Sequence, residues 1–269
     1  MIMRDSIFSL RLLKSRIATM EGAGPRLGAG FSAMGNADVD RALGGGLARG
    51  RLHELFALEA DDAAGAAGFA AMLARQLGNS LVWLREERTE HRDGGIHAAG
   101  LAQMGVDPAT LVLAVLPDAL AVLRAAADVL RCPEAGAAII ELWGNPPVLD
   151  LTASRRLALA AESSGVTAFM LRVAARPTPS AAHTRWRIGS APSRPLEANA
   201  PGHPALEVEL LRQRGNAAGG PWQLEWDREQ AIFRNRSEGA TALSGAVVPL
   251  PVRRPAGGGD GVIPLRRAG

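Results

Sequence analysis

Short apolar runs alternate with amphipathic stretches along most of the chain, and that alternation predicts its elements. Residues 4–20 place Ile7, Leu10, Leu13, Ile17 and Met20 near helical spacing and predict an amphipathic helix. A Gly-rich linker over 21–30 follows. After the cluster Gly44-Gly45-Gly46, the segment Arg51–Phe56 predicts a strand, and the Ala-rich stretch 63–77 a helix. The pattern then repeats, with strands at Leu81–Arg85, Leu111–Leu116, Ala137–Leu142 and Thr167–Val173. Helices are predicted at Ile96–Met104, Pro117–Leu130 and Leu149–Ser163, the second with Pro in its first turn. Strands that are apolar throughout and separated by helices indicate an α/β fold, its parallel sheet covered on both faces. Beyond residue 175 the helices stop. Thr184–Ile188, Ala205–Arg212 and Trp222–Trp226 predict strands, the last two joined through Gly215–Gly220 as an antiparallel hairpin. Residues 237–269 are rich in Gly, Pro and Arg without periodicity and predict a disordered tail. The expected organisation is a helix and linker over 1–30, an α/β core over 31–236, and the tail.

Composition narrows the classes. Of 269 residues, 47% are hydrophobic and 21% charged, so the chain can bury a sizeable core. No uncharged apolar run reaches the roughly 18 residues that a membrane span needs. Charges at Arg4, Asp5, Arg11, Lys14 and Arg16 interrupt any signal-peptide core. The single cysteine, Cys132, excludes an internal disulfide framework and a Cys-based zinc cage. A cytoplasmic setting is expected. The net charge of +3 does not demand a nucleic-acid partner, and the absence of tyrosine argues against a base-stacking surface.

Ligands of such sheets bind beyond the carboxyl ends of the strands. A phosphate loop after the first core strand would read G-x-x-x-x-G-K-S/T, its Lys reaching phosphates and its hydroxyl holding magnesium. Here the turn runs Ala57-Leu58-Glu59-Ala60-Asp61-Asp62-Ala63-Ala64-Gly65. Ala63 stands at the Lys position and Ala64 at the hydroxyl position, while Glu59, Asp61 and Asp62 add negative charge. From these residues alone two readings stay open: an altered phosphate loop, or an acidic cap for helix 63–77, where Asp is favourable. Other candidates are weak. His53 reads as a strand residue, His91 and His97 have poor metal spacing, and Ser163-Ser164-Gly165 lacks a hydrolase elbow.

The flanks add a resemblance. Val39–Phe56 resembles the segment L-D-x-A-L-G-x-G-G-L-P-x-G-R-I-x-E-I-Y that leads into the phosphate loop of the RecA recombinases. Gly46-Leu47, Gly50-Arg51 and Glu54 match in register, as does Gly105-Val106-Asp107 further on. With its altered loop and Pro/Arg-rich tail, the chain is similar to the ImuA family, RecA-related accessory proteins of bacterial mutagenesis cassettes, some described as SulA-like. The resemblance implies a RecA-like P-loop NTPase core. It places Glu86 at the family's catalytic Glu and Glu141 at its Walker B carboxylate, as a vestigial nucleotide site. It places Arg212 and Arg214 where the family reaches across to a neighbouring subunit, a partner interface. The two DNA-binding loops correspond to Trp143–Val148 and Ala174–Thr184, both short. Arg172, Arg176, Arg253 and Arg254 are candidate DNA or partner contacts. The implied function is a non-catalytic adaptor in damage-induced translesion synthesis, needing no cofactor. Its implied partners are the RecA filament, a Y-family polymerase homologue (ImuB), an error-prone replicative-type DNA polymerase, and weakly held single-stranded DNA. The alternatives are a divergent ATPase using ATP and magnesium through Glu86 and Glu141, and a SulA-like division inhibitor.

Overall fold

The computed structural model describes residues 30–78, 80–195, 200 and 202–236; the helix expected at 4–20 and the tail lie outside the described residues. The elements run β1 (Phe31–Ser32), α1 (Ala37–Leu43), β2 (Leu47–Ala48), β3 (Leu52–Ala57), α2 (Ala63–Leu77), β4 (Leu81–Glu86), α3 (Glu87–Asp93), α4 (Ala98–Gln103), β5 (Leu111–Leu116), α5 (Ala119–Val129), β6 (Ala137–Trp143), α6 (Leu151–Ser164), β7 (Thr167–Val173), β8 (Thr184–Ala191), β9 (Ala205–Gln213), β10 (Gly219–Asp227) and β11 (Ile232–Asn235). A nine-stranded sheet has the order β11-β10-β9-β8-β3-β7-β6-β4-β5. Strands β8 to β5 in that order pair in parallel, whereas β8, β9, β10 and β11 pair antiparallel. The antiparallel part is larger than the expected hairpin by β8 and β11.

The central strands β3, β4, β6 and β7 are buried along their whole length. This is why their sequences are apolar without alternation: helices cover both faces. On one face Leu55, Trp83, Ile139 and Phe169 pack with Phe69 and Leu73 of α2. On the other Leu52, Leu84, Ile140 and Met170 pack with Leu123 of α5 and Leu157 of α6. An aromatic cluster fastens the antiparallel part under α2. Phe233 lies 5.1 Å from Phe69 and 4.8 Å from Trp226, centroid to centroid. Asn36 Nδ2 donates to Asn235 Oδ1 at 2.6 Å, and Gln76 Nε2 donates to the carbonyls of Met34 and Ala231.

Two local expectations change, and a short helix stands where none was assigned. Pro117 precedes Asp118, which caps α5 through Ala121 N, so the proline sits outside the helix. The seven-residue helix α3 (Glu-Arg-Thr-Glu-His-Arg-Asp) was not expected, because its residues carry no apolar period. The short α1 buries only Val39 and Leu43 and is held by Asn36, whose side chain accepts from Asp38 N and Val39 N.

The segment 38–56 is scaffold throughout. Asp40 accepts from Met34 N at 2.7 Å and Gly35 N at 3.1 Å. Gly46 has φ 124°, and a Cβ there would stand 2.4 Å from the Ser32 carbonyl oxygen. His53 is fully buried; its Nδ1 lies 2.7 Å from Thr184 Oγ1 and its Nε2 2.8 Å from Ala48 O. A carbonyl only accepts, so Nε2 carries the proton and Nδ1 accepts from the Thr184 hydroxyl. Burial pushes the His53 imidazole down to about 3 from 6.5. Between those values the unfolded chain binds a proton that the folded chain does not, so acidification destabilises the fold. Urea unfolding at pH 7 and pH 5 is expected to show a loss of about 2 kcal/mol from this residue. His53→Gln is expected to flatten the profile by that amount; an unchanged slope would assign the acid sensitivity elsewhere.

Candidate functional site

The turn follows Ala57, the last residue of β3, whose carbonyl accepts from Ala174 N at 2.8 Å. Leu58 and Glu59 are exposed, and Ala60–Asp62 form a 3-10 turn leading straight into α2. Asp62 stands at the N-cap position of α2 but makes no capping bond. Its Oδ1 instead accepts from Ser190 N of β8 at 2.8 Å. The expected acidic cap is therefore not formed, because the carboxylate is used to dock α2 against β8. The fit there is close: a Cβ at Gly65 would lie 2.8 Å from Ser190 Oγ. Ala63 and Ala64 open the helix, and Glu59 and Asp61 leave two exposed carboxylates beside its N-terminus.

Glu86 and Glu141 do not come together. Along β4, Leu81, Trp83 and Arg85 point to the α2 face, and Val82, Leu84 and Glu86 to the opposite face. Glu141 is on the α2 face, beside Trp83 and Arg85. Its Oε2 accepts from Trp83 Nε1 at 2.9 Å and its Oε1 from Arg85 Nη2 at 3.2 Å. Burial raises the Glu141 carboxyl, with Arg85 and Trp83 opposing. Arg85 also holds Glu90 at 2.9 Å and the Gly94 carbonyl at 3.1 Å, which seats α3 on the strand ends. Glu86 is buried and pairs with Arg88 Nε at 2.7 Å. A magnesium triphosphate asks for a carboxylate with a free oxygen, a hydroxyl and a Lys. Both Glu141 oxygens already accept from protein donors, and alanines stand at the other two positions. The side chains present do not fit that group. Among the described residues, no three His, Cys, Asp or Glu side chains gather as a metal cage would require.

Beside α3 lies an open hollow that the sequence did not foretell. Glu87, Arg88, His91, Arg92 and Pro117 line it, with a volume of about 460 Å³. Arg92 lies over the Trp143 ring at 4.2 Å. The polar α3 sequence carried no signal for it.

Arg172 is not a surface contact. Its side chain is 2% exposed and points to the α6 face, where Nη1 lies 3.7 Å from Glu54 Oε1. Its Nη2 donates to Gly144 O at 3.0 Å and Asn145 Oδ1 at 2.6 Å. Arg185 Nε lies 3.0 Å from Glu54 Oε2, which also accepts from Ser180 Oγ at 2.7 Å. The Ser180 hydroxyl in turn accepts from Arg185 Nη2 at 2.8 Å. One buried carboxylate thus ties both short loops, 144–149 through Arg172 and 174–183 through Ser180, to β3.

Arg212 and Arg214 lie at the other end of the sheet. Strand β9 runs against β8, so Gln213 pairs with Thr184, which pairs with His53 near the start of β3. Both arginines are exposed, and Gln213 between them is buried, donating to Leu43 O at 3.0 Å. Arg214 N donates to His183 O at 2.9 Å. His183 is held below its ordinary value by burial, with Arg51 and Arg214 adding to the effect. Arg51 pairs with Glu162. Arg176 is exposed on the 174–183 loop, and Arg253 and Arg254 lie outside the described residues.

No protein-family model matches the chain. It is 34% identical over 221 residues to Protein ImuA of Caulobacter vibrioides, in two strains, covering 76% of this chain and 86% of the relative. The chain belongs to the ImuA family. Its fold is similar to the crystal structure of the RadB recombinase, with a TM-score of 0.53 at 14% identity, covering 77% of this chain and all of the other. The RecA-like fold expected of an ImuA-family chain is the fold observed. No helix among the described residues is long and apolar enough to cross a membrane.

If Glu54 holds both loops, they loosen together. In Glu54→Gln, amides of 144–149 and of 174–183 are expected to lose hydrogen-exchange protection in parallel, ahead of the β6 and β7 amides. Removing one partner of a buried ion pair costs about 3–5 kcal/mol, so Ser180→Ala serves as the milder variant. In it the 174–183 loop loosens first. Loosening of neither loop in either variant would remove Glu54 from this role.

Proposed function

We propose that this ImuA-family chain is a non-catalytic RecA-like adaptor in damage-induced translesion DNA synthesis. It bridges the RecA filament and error-prone polymerases, the Y-family homologue ImuB and a replicative-type enzyme among them. One observation carries the reading: the RecA-like scaffold is kept, while the turn where that scaffold would hold a triphosphate carries Ala63, Ala64 and the carboxylates of Glu59, Asp61 and Asp62. Negative charge there opposes a phosphate. The opposite end of the sheet carries exposed Arg212 and Arg214, planar donors suited to carboxylate and phosphate groups. The proposed mechanism is mimicry of a RecA protomer, with this arginine pair on the contacting side.

Co-sedimentation with RecA–single-stranded DNA filaments, formed with a non-hydrolysable ATP analogue, tests it. The protein is expected to pellet with filaments and not with DNA alone, and Arg212→Ala/Arg214→Ala to lower the pelleted fraction at least fivefold. Unchanged pelleting of the double variant would refute the interface. Under the same reading, ATP turnover stays at background in the wild type and in Glu86→Ala. Turnover that depends on Glu86 would establish a divergent ATPase instead.

A further inference from the structure

The outer face of α6 and the loop before it carry exposed aliphatic side chains beside exposed arginines. Leu151 is 48% exposed, Leu159 59%, and Val148 in the preceding loop 40%. Leu151, Arg155 and Leu159 recur at every fourth position, so they form one stripe along the helix. That stripe extends about 12 Å at 1.5 Å per residue. Aliphatic side chains repeated on the solvent side of a covering helix have no role in the core beneath, which α6 contacts through Leu157, Ala160 and Ala161. Clustered exposed apolar residues with a polar rim mark interaction sites.

The rim is positive. Arg155 and Arg156 lie on α6 itself and Arg176 on the 174–183 loop that Ser154 ties to the helix; all three are exposed and form no ion pair with a described residue. The neighbouring acids are already engaged. Asp150 caps α6 by accepting from Ala153 N at 2.7 Å, and Glu162 pairs with Arg51. The surface is also held in place. Arg172 fixes Gly144 and Asn145 ahead of Val148, and Ser154 Oγ accepts from Ala181 N at 3.1 Å, joining the 174–183 loop to α6. A surface ordered before binding loses less freedom on association.

We propose that this face docks an amphipathic helix of a partner protein, one whose aliphatic stripe is flanked by carboxylates. The stripe packs on Val148, Leu151 and Leu159, and the carboxylates meet Arg155, Arg156 and Arg176. A nucleic acid would use the arginines but leave the aliphatic stripe without a function, and no aromatic side chain among these residues offers a base a platform. The surface shares none of its residues with the Arg212/Arg214 pair, so its test is separate from that of filament binding.

Fluorescence anisotropy tests it with the full chain and three labelled probes. The first is a synthetic helix with Leu at i, i+3, i+4 and i+7 flanked by Glu. The second carries Lys in place of Glu, and the third is a single-stranded oligonucleotide. The Glu-flanked helix is expected to bind, and the Lys-flanked helix at least tenfold more weakly. Arg155→Glu/Arg156→Glu/Arg176→Glu and, separately, Leu151→Asp/Leu159→Asp are each expected to weaken the Glu-flanked helix at least tenfold. Unchanged circular dichroism and filament pelleting separate these effects from misfolding and from failure of the adaptor reading. The proposal is overturned if the Glu-flanked helix does not bind, or binds both variants as it binds the wild type. It is equally overturned if the oligonucleotide competes for the surface and loses affinity in the same variants.

Discussion

A carboxylate in the middle of a parallel sheet has to be fully partnered, because burying an isolated charge costs several kcal/mol. Glu54 is 1% exposed, and two arginines and a serine answer that requirement. Arg172 approaches from β7, Arg185 from β8, and Ser180 from the loop between those strands. Each arginine is itself buried or nearly so, and Gly144, Asn145 and the Ser180 hydroxyl accept from their Nη2 atoms. The demand of one charge therefore passes outward until it reaches both loops at the carboxyl ends of β6 and β7. Those loops are short and well tied, and the segments of sheet they follow carry no alternation that could fix them by burial alone.

The layout of the α/β core was legible because buried parallel strands and their covering helices write strong patterns. Helix 63–77, strand 111–116 and strand 167–173 stand where their apolar runs place them. Elements that depend on few or polar contacts were not legible. Helix α3 exists because Arg85 holds Glu90 and Gly94 onto the strand ends, a tertiary cause with no local period. Strand β11 is four residues long, and Phe233 alone anchors it in the core. Among candidate site residues, an arginine in an apolar strand is ambiguous from sequence. Arg172 could have lain on a surface; only the pairing of β3 with β7 and β8 reveals that Glu54 claims it. Likewise, Glu86 ends β4 and Glu141 lies two residues before the end of β6, and the pleat sends them to opposite faces, which a one-residue difference in register decides.

The stretch that carries the family resemblance is built of structural duties. Asp40 fixes the entry to α1, Gly46 allows the backbone to pass Ser32, Arg51 pairs with the end of α6, and Glu54 anchors the loops. None of these duties needs a nucleotide. A scaffold can therefore keep this signature while the turn that follows it takes up alanines and acids. The side chains at that turn then serve packing, as Asp62 does in docking α2 on β8.

The aromatic cluster beneath α2 sets a schedule for the nascent chain. Phe69 packs on Phe233, which in turn packs on Trp226, and Asn36 bonds Asn235, a partner 199 positions downstream. Contacts of such separation form late, since loop closure precedes their reward. At roughly 5–20 residues per second of synthesis, on the order of ten to thirty seconds pass between the appearance of Phe69 and that of Phe233. Throughout that interval α2 has one apolar flank without its cover. An unfinished sheet thus persists for longer than most small domains take to fold, and β11 is the latch that closes it.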